Sequence, residues 1–139
     1  MAQSMRDVMT TQPVALPATS SVVDAARAMR DSDIGNVIVL ENGQICGIVT
    51  DRDIAIRGVA EGRNISSLTL GDICSRQLTT LSPTDSIDDA VLLMREKALR
   101  RLLVVEDGKP VGIVSLGDLA VTQDPHSALG NISSAPANR

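Results

Sequence analysis

Apolar positions along this chain fall into two rhythms that alternate and then repeat. Val22, Ala25, Ala26 and Met29 recur at i, i+3, i+4 and i+7, the spacing of a helix face turned to a core, and Ile87, Ala90, Val91 and Met94 restate it. Ser21-x-x-Asp24 and Ser86-x-x-Asp89 stand where each helix needs its first backbone N–H groups satisfied, with Asp in place of the commoner Glu. After each helix the rhythm changes to short continuous apolar runs. Val37-Ile38-Val39-Leu40 and Ile45-Cys46-Gly47-Ile48-Val49 flank Asn42-Gly43, while residues 102–105 and 111–114 flank Asp107-Gly108. Asn-Gly and Asp-Gly predict type I′ hairpins, because that turn needs positive φ at both central residues. A brief strand is predicted near residues 14–16 and again near 79–81, each behind a short turn at 5–9 and 70–74.

The two halves are copies. With Asp7 laid over Asp72, an offset of 65, the chain aligns with itself without a gap from residue 6 to residue 120. Roughly 17 of about fifty pairs are identical, where unrelated sequences give about three, and most of the others exchange one apolar residue for another. Each copy reads turn, strand, helix, hairpin, helix, so the predicted fold class is α+β with two βαββα-type repeats. A unit of about fifty residues cannot bury a helix face and a hairpin alone, so the copies are expected to pack about an internal pseudo-two-fold axis. The predicted organisation is repeat 1 at 5–56, a connector at 57–69 that begins as a helical continuation, repeat 2 at 70–121, and a polar tail at 122–139.

Composition narrows the chemistry. Of 139 residues, 43% are hydrophobic and 22% charged, which suits a folded soluble protein. A formal charge of -4 and the absence of Phe, Tyr and Trp leave neither a basic surface for phosphates nor rings for stacking bases, so no nucleic acid partner is expected. Cys46 and Cys74 form no C-x-x-C motif and are expected as buried, reduced thiols. With His126 they are too few and too scattered for a metal site. No signal segment opens the chain and no run of eighteen apolar residues occurs, so it reads as cytoplasmic with no membrane partner.

Both copies end on one string, Gly47-Ile48-Val49-Thr50-Asp51-Arg52-Asp53 and Gly112-Ile113-Val114-Ser115-Leu116-Gly117-Asp118. Read locally, Thr50 with Asp53 and Ser115 with Asp118 are capping boxes at the start of a helix, contributing about 1 kcal/mol each. The same atoms suit a ligand. A hydroxyl at a strand-to-helix junction stands beside free N–H groups and a partial positive charge that favour phosphate or ribose oxygens. An Asp one turn later can accept from both hydroxyls of a ribose.

Together with the duplication and the order of elements, this string resembles the cystathionine β-synthase (CBS) domain family, whose members occur as tandem pairs called Bateman modules. The resemblance covers residues 5 to 121. It implies adenosine ligands in clefts between the repeats, contacted by Thr50, Asp53, Ser115 and Asp118, with Arg52, Arg100 and Arg101 as candidates for the phosphates. It also implies a homodimer joined through exposed helix faces. Many family members carry a proline in a hairpin strand where this chain has Ile38 and Leu103.

The resulting expectation is a non-catalytic regulatory module that binds AMP, ADP or ATP, with S-adenosylmethionine or NADH as further candidates, and signals occupancy to a downstream protein. It carries no catalytic residues and no resident cofactor, for no nucleophile is paired with a His and no Gly-rich loop could cradle a phosphate. The alternative is a ligand-free CBS scaffold for dimerisation or protein interaction. The copies differ where charge matters, since Arg100-Arg101 align with Gly35-Asn36 and Arg52 with Gly117, so two unequal sites are expected.

Overall fold

The computed structural model describes residues 3–76, 78–123 and 132. Most of the tail at 122–139, including His126, lies outside the described residues. In chain order the elements are helix α1 (Met5–Val8), strands β1 (Thr10–Thr11) and β2 (Ala15–Pro17), helix α2 (Val22–Ser32), strands β3 (Asn36–Glu41) and β4 (Gln44–Thr50), and helix α3 (Asp51–Asp53). A π-helical segment, Ile54–Val59, continues α3. Then come α4 (Leu70–Ile73), β5 (Thr80–Leu81), α5 (Ile87–Lys97), β6 (Arg101–Glu106), β7 (Lys109–Ser115) and α6 (Leu116–Gln123). The chain is α+β, with two repeats of sheet and helices.

The chain forms two compact units, and they are out of phase with the sequence copies. One comprises residues 13–78; the other joins residues 1–12 to 79–139. The opening segment of each copy therefore belongs to the unit built mainly from the other copy.

In the 13–78 unit, β2 runs parallel to β3, and β3 antiparallel to β4. Asn42 and Gly43 have φ of 54° and 77°, as a type I′ hairpin requires. One face of the sheet buries Val37, Val39 and Val49 against Val22, Ala25 and Met29 of α2, and α4 closes the core with Leu70 and Ile73. Ser75 follows as a single bridge beside Ile48, exchanging both backbone hydrogen bonds at 3.0 and 3.1 Å. The tight approach explains Gly47, where a Cβ would lie 2.6 Å from the Ser75 carbonyl oxygen.

The other unit repeats the plan with a fourth strand, in the order β1-β7-β6-β5. Asp107 and Gly108 form its turn at φ 53° and 75°. Here Met5 of α1, fully buried, occupies the place that Leu70 takes in the first unit, packed with Ile87, Ala90, Met94, Leu102, Val104 and Val114. Arg6 pairs with Glu106 at 2.9 Å, and Thr10 pairs with Ile113.

One detail of the helix pattern is corrected. In both copies the i and i+3 positions are buried, but the i+4 position is not: Ala26 is exposed and Val91 is 44% exposed. The core stripe is narrower than the spacing suggests, and Val91 is left on the surface. No helix among the described residues is long and apolar enough to cross a membrane.

Candidate functional site

Each unit builds the same junction from a hairpin strand running straight into a helix. In the 13–78 unit, β4 ends at Thr50 in extended backbone, and the Asp51 N–H donates to the Gly35 carbonyl at 3.0 Å, fixing the turn. The Thr50 hydroxyl accepts from the Asp53 N–H at 3.1 Å, and Asp53 Oδ2 accepts from the Thr50 N–H at 2.9 Å. In the other unit the Leu116 N–H donates to the Arg100 carbonyl at 2.8 Å. Ser115 Oγ accepts from the Asp118 N–H at 3.0 Å, and Asp118 Oδ2 accepts from the Ser115 N–H at 2.9 Å. Both are complete, half-buried capping boxes.

Asp as a capping acceptor is this chain's general habit. The Ser4 and Thr69 N–H groups donate to Asp7 and Asp72 Oδ2 at 2.9 and 3.0 Å at α1 and α4, and the Ser82 N–H donates to Asp85 Oδ2 at 2.8 Å. The short carboxylate in the string is therefore not peculiar to it. What sets the Thr50 and Ser115 boxes apart from the caps at α1 and α4 is position: both are half-buried at the end of the longest strand of their unit, whereas the other two are exposed.

The second carboxylate oxygen differs between the copies. Asp53 Oδ1 lies 3.9 Å from Arg57 Nε, on the π-helical segment, and Arg57 also donates from Nη1 to the Ile73 carbonyl at 3.1 Å. Arg57 thus links the box to the end of α4. Its i,i+4 spacing from Asp53 is a visible sequence signal that the motif reading passed over. No described residue pairs with Asp118 Oδ1. Instead Arg101 opens β6 directly across the ladder from Ser115.

The cations are distributed accordingly. Arg101 and Arg100 share a unit with Ser115 and Asp118; Arg52 is exposed beside Thr50 and Asp53 in the other. Arg100 also borders an apolar groove of about 440 Å³ formed by Val91, Met94, Leu99, Leu116 and Leu119. Among the described residues no three His, Cys, Asp or Glu side chains gather as a metal set.

The comparisons with known proteins agree on a family. The CBS domain family profile matches residues 5–58 and 70–122. CBS domain-containing protein YhcV of Bacillus subtilis is 40% identical over 134 residues, spanning 94% of this chain and 95% of that protein. The crystal structure of Hypoxic Response Protein I, with two coordinated zinc ions, superposes with a TM-score of 0.74 at 29% identity, over 85% of this chain and 97% of that one. The CBS domain pair of protein MJ0100, in complex with 5′-methylthioadenosine and S-adenosyl-L-methionine, gives a TM-score of 0.80 at 22% identity, over 91% and 100%.

Proposed function

Because this chain belongs to the CBS domain family, we propose that it is a non-catalytic regulatory module that binds an adenosine nucleotide through its two strand-to-helix junctions. The carrying observation is the half-buried Thr50/Asp53 and Ser115/Asp118 boxes, in which capping occupies Oδ2 of each carboxylate. Oδ1 is then the acceptor for a ribose hydroxyl, and the helix start favours phosphate oxygens. A CBS pair of the same fold holds 5′-methylthioadenosine and S-adenosyl-L-methionine, which supports the adenosine class. AMP, ADP or ATP is the favoured ligand, with S-adenosylmethionine and NADH next; the chain acts in the cytoplasm and passes the readout to a downstream protein.

The functional unit is a homodimer. Val91, Leu92, Leu99 and Leu116, 37 to 52% exposed, border or adjoin the apolar groove and give a second copy apolar surface to cover.

Calorimetric titration with AMP, ATP, S-adenosylmethionine and NADH tests the reading. Saturation at a hundred times Kd stabilises a site by roughly 2.7 kcal/mol, so melting rises by several degrees. No heat and no melting shift with any of the four at millimolar concentration favours the second reading, a ligand-free dimerisation scaffold. That reading has its own support, since Asp accepts in the same way at the plain caps of Ser4 and Thr69.

A further inference from the structure

We propose that Cys46 and Cys74 are a reversible dithiol site, closed to an intramolecular disulfide by hydrogen peroxide and reopened by thiol reductants, within the 13–78 unit. The two cysteines lie 28 positions apart and reach one another through two features of the sheet. The first is a β-bulge. Val39 pairs with Gly47 and Leu40 with Ile45, so Cys46 is the extra residue of β4, and its side chain packs against the same core cluster that holds Cys74. The second is Gly47. Its missing side chain leaves the space that Cys74 enters, where a Cβ would stand 2.9 Å from Cys74 Sγ.

The fold does not need sulfur in both places. At the offset of 65, Cys46 corresponds to Val111 and Cys74 to Met9, and Met9 fills the equivalent space over Gly112. The other unit therefore answers the same packing problem without thiols that can join.

Burial and charge act on Cys74 in opposite directions, with the rise prevailing. Burial pushes the Cys74 thiol up and the neighbouring Cys46 adds to the rise, while the Arg76 guanidinium pulls it down. Arg76 stands close enough to sense both sulfurs, and it is held there by Glu41 at 3.6 Å and the Gly71 carbonyl at 3.3 Å. Cys46 is the partly exposed member and Cys74 the buried one. The Cys46 thiolate attacks a peroxide oxygen; the O–O bond breaks, leaving a sulfenic acid and a hydroxide that takes up the released thiol proton as water. Cys74 sulfur then attacks the sulfenic sulfur, the S–S bond forms, the S–O bond breaks, and the hydroxyl leaves as a second water with the Cys74 proton. In a reducing compartment such a disulfide is transient, as a sensing site requires.

The product staples β4 to the residues just after α4, independently of any nucleotide. Treating the full chain with hydrogen peroxide should abolish titration of both thiols, lower the intact mass by two hydrogens, and leave a single peptide cross-link between Cys46 and Cys74. Closing a loop of this length should raise melting by several degrees, and dithiothreitol should reverse all of these changes. Cys46→Ser and Cys74→Ser should each lose the cross-link. The paired change Cys46→Val with Cys74→Met copies the other unit's solution, so it should fold and show no peroxide-dependent shift in melting. Sulfinic acid on Cys46 with Cys74 still free, or cross-links only between chains, would overturn the proposal. So would thiols that remain reduced while the protein stays folded.

Discussion

Asp53 and Asp118 each have two carboxylate oxygens and, in these boxes, two separable duties. Capping uses Oδ2; ribose recognition would use Oδ1. Asp53→Ala and Asp118→Ala should therefore each lower stability by about 1 kcal/mol through the lost cap, and should each weaken nucleotide binding roughly ten- to hundredfold at its own site. A melting change with unaltered affinity would leave them as caps alone. The two sites should also differ. Arg57 holds Asp53 Oδ1 at ion-pair distance, whereas Asp118 faces no described cation and Arg101 lies opposite Ser115. Arg100→Ala with Arg101→Ala should reduce the ratio of the two affinities more for ATP than for adenosine, as calorimetry at low and high salt would read. The motif itself was plain in the sequence. That its Asp is the chain's usual capping partner was equally open to inspection, in Ser4-x-x-Asp7 and Thr69-x-x-Asp72. A third carboxylate makes a pH prediction: the Thr69 backbone and side-chain hydrogen bonds, with a smaller pull from Arg63, hold Asp72 below its ordinary value of 3.8. A depressed carboxyl stabilises the fold above the unfolded value, and that share is lost as pH falls through the folded one. Asp72→Asn should lower stability at neutral pH and flatten the acid limb of a urea-melt series.

Among the elements, α2 and α5 show both what periodicity conveys and where it stops. Each helix and its Ser cap sits where the spacing predicts, and both hairpins turn at Asn42-Gly43 and Asp107-Gly108 because those dipeptides tolerate positive φ. The burial of the i+4 position was misjudged, since spacing specifies a face but not how wide a sheet covers it. The bulge at Cys46 and the π-helical turn after α3 left no periodic mark, because each arises from one extra residue in an otherwise regular hydrogen-bond pattern. The helix ends offer another test. Ala98 terminates α5 at φ 54° and ψ 41°, a left-handed conformation in which a Cβ crowds the backbone. Ala98→Gly should stabilise the protein by about 0.5–1 kcal/mol, after allowing for the greater freedom of Gly in the unfolded chain. Chemical denaturation would measure it, and a loss of stability would show that the strain is absorbed elsewhere.

For the whole molecule, duplication was legible from identities at one offset, but the partition into compact units was not. The copies begin at equivalent residues, yet α1 and β1 complete the sheet and core of residues 79–139, while α4 completes those of 13–78. Self-alignment reports ancestry of sequence and is blind to which core a short leading segment enters. Met5 makes the exchange measurable, being fully buried among Ile87, Met94 and Leu102. Met5→Ala should cost about 2–5 kcal/mol. Hydrogen exchange should accelerate first in β6 and β7, with β3 and β4 protected; uniform acceleration across both sheets would mean the units do not open separately.

The placement of α1 and β1 also sets a timetable for synthesis. Thr10 and Thr11 leave the ribosome about a hundred residues ahead of their partners Ile113 and Gly112, a wait of roughly 5–20 s at ordinary elongation rates. During that interval the 13–78 unit has all its strands and α4 to fold with, whereas Met5 has no core to enter. The nascent chain thus carries a folded middle and an unsatisfied earlier segment, and the later hairpin, β6–β7, is the one that retrieves it.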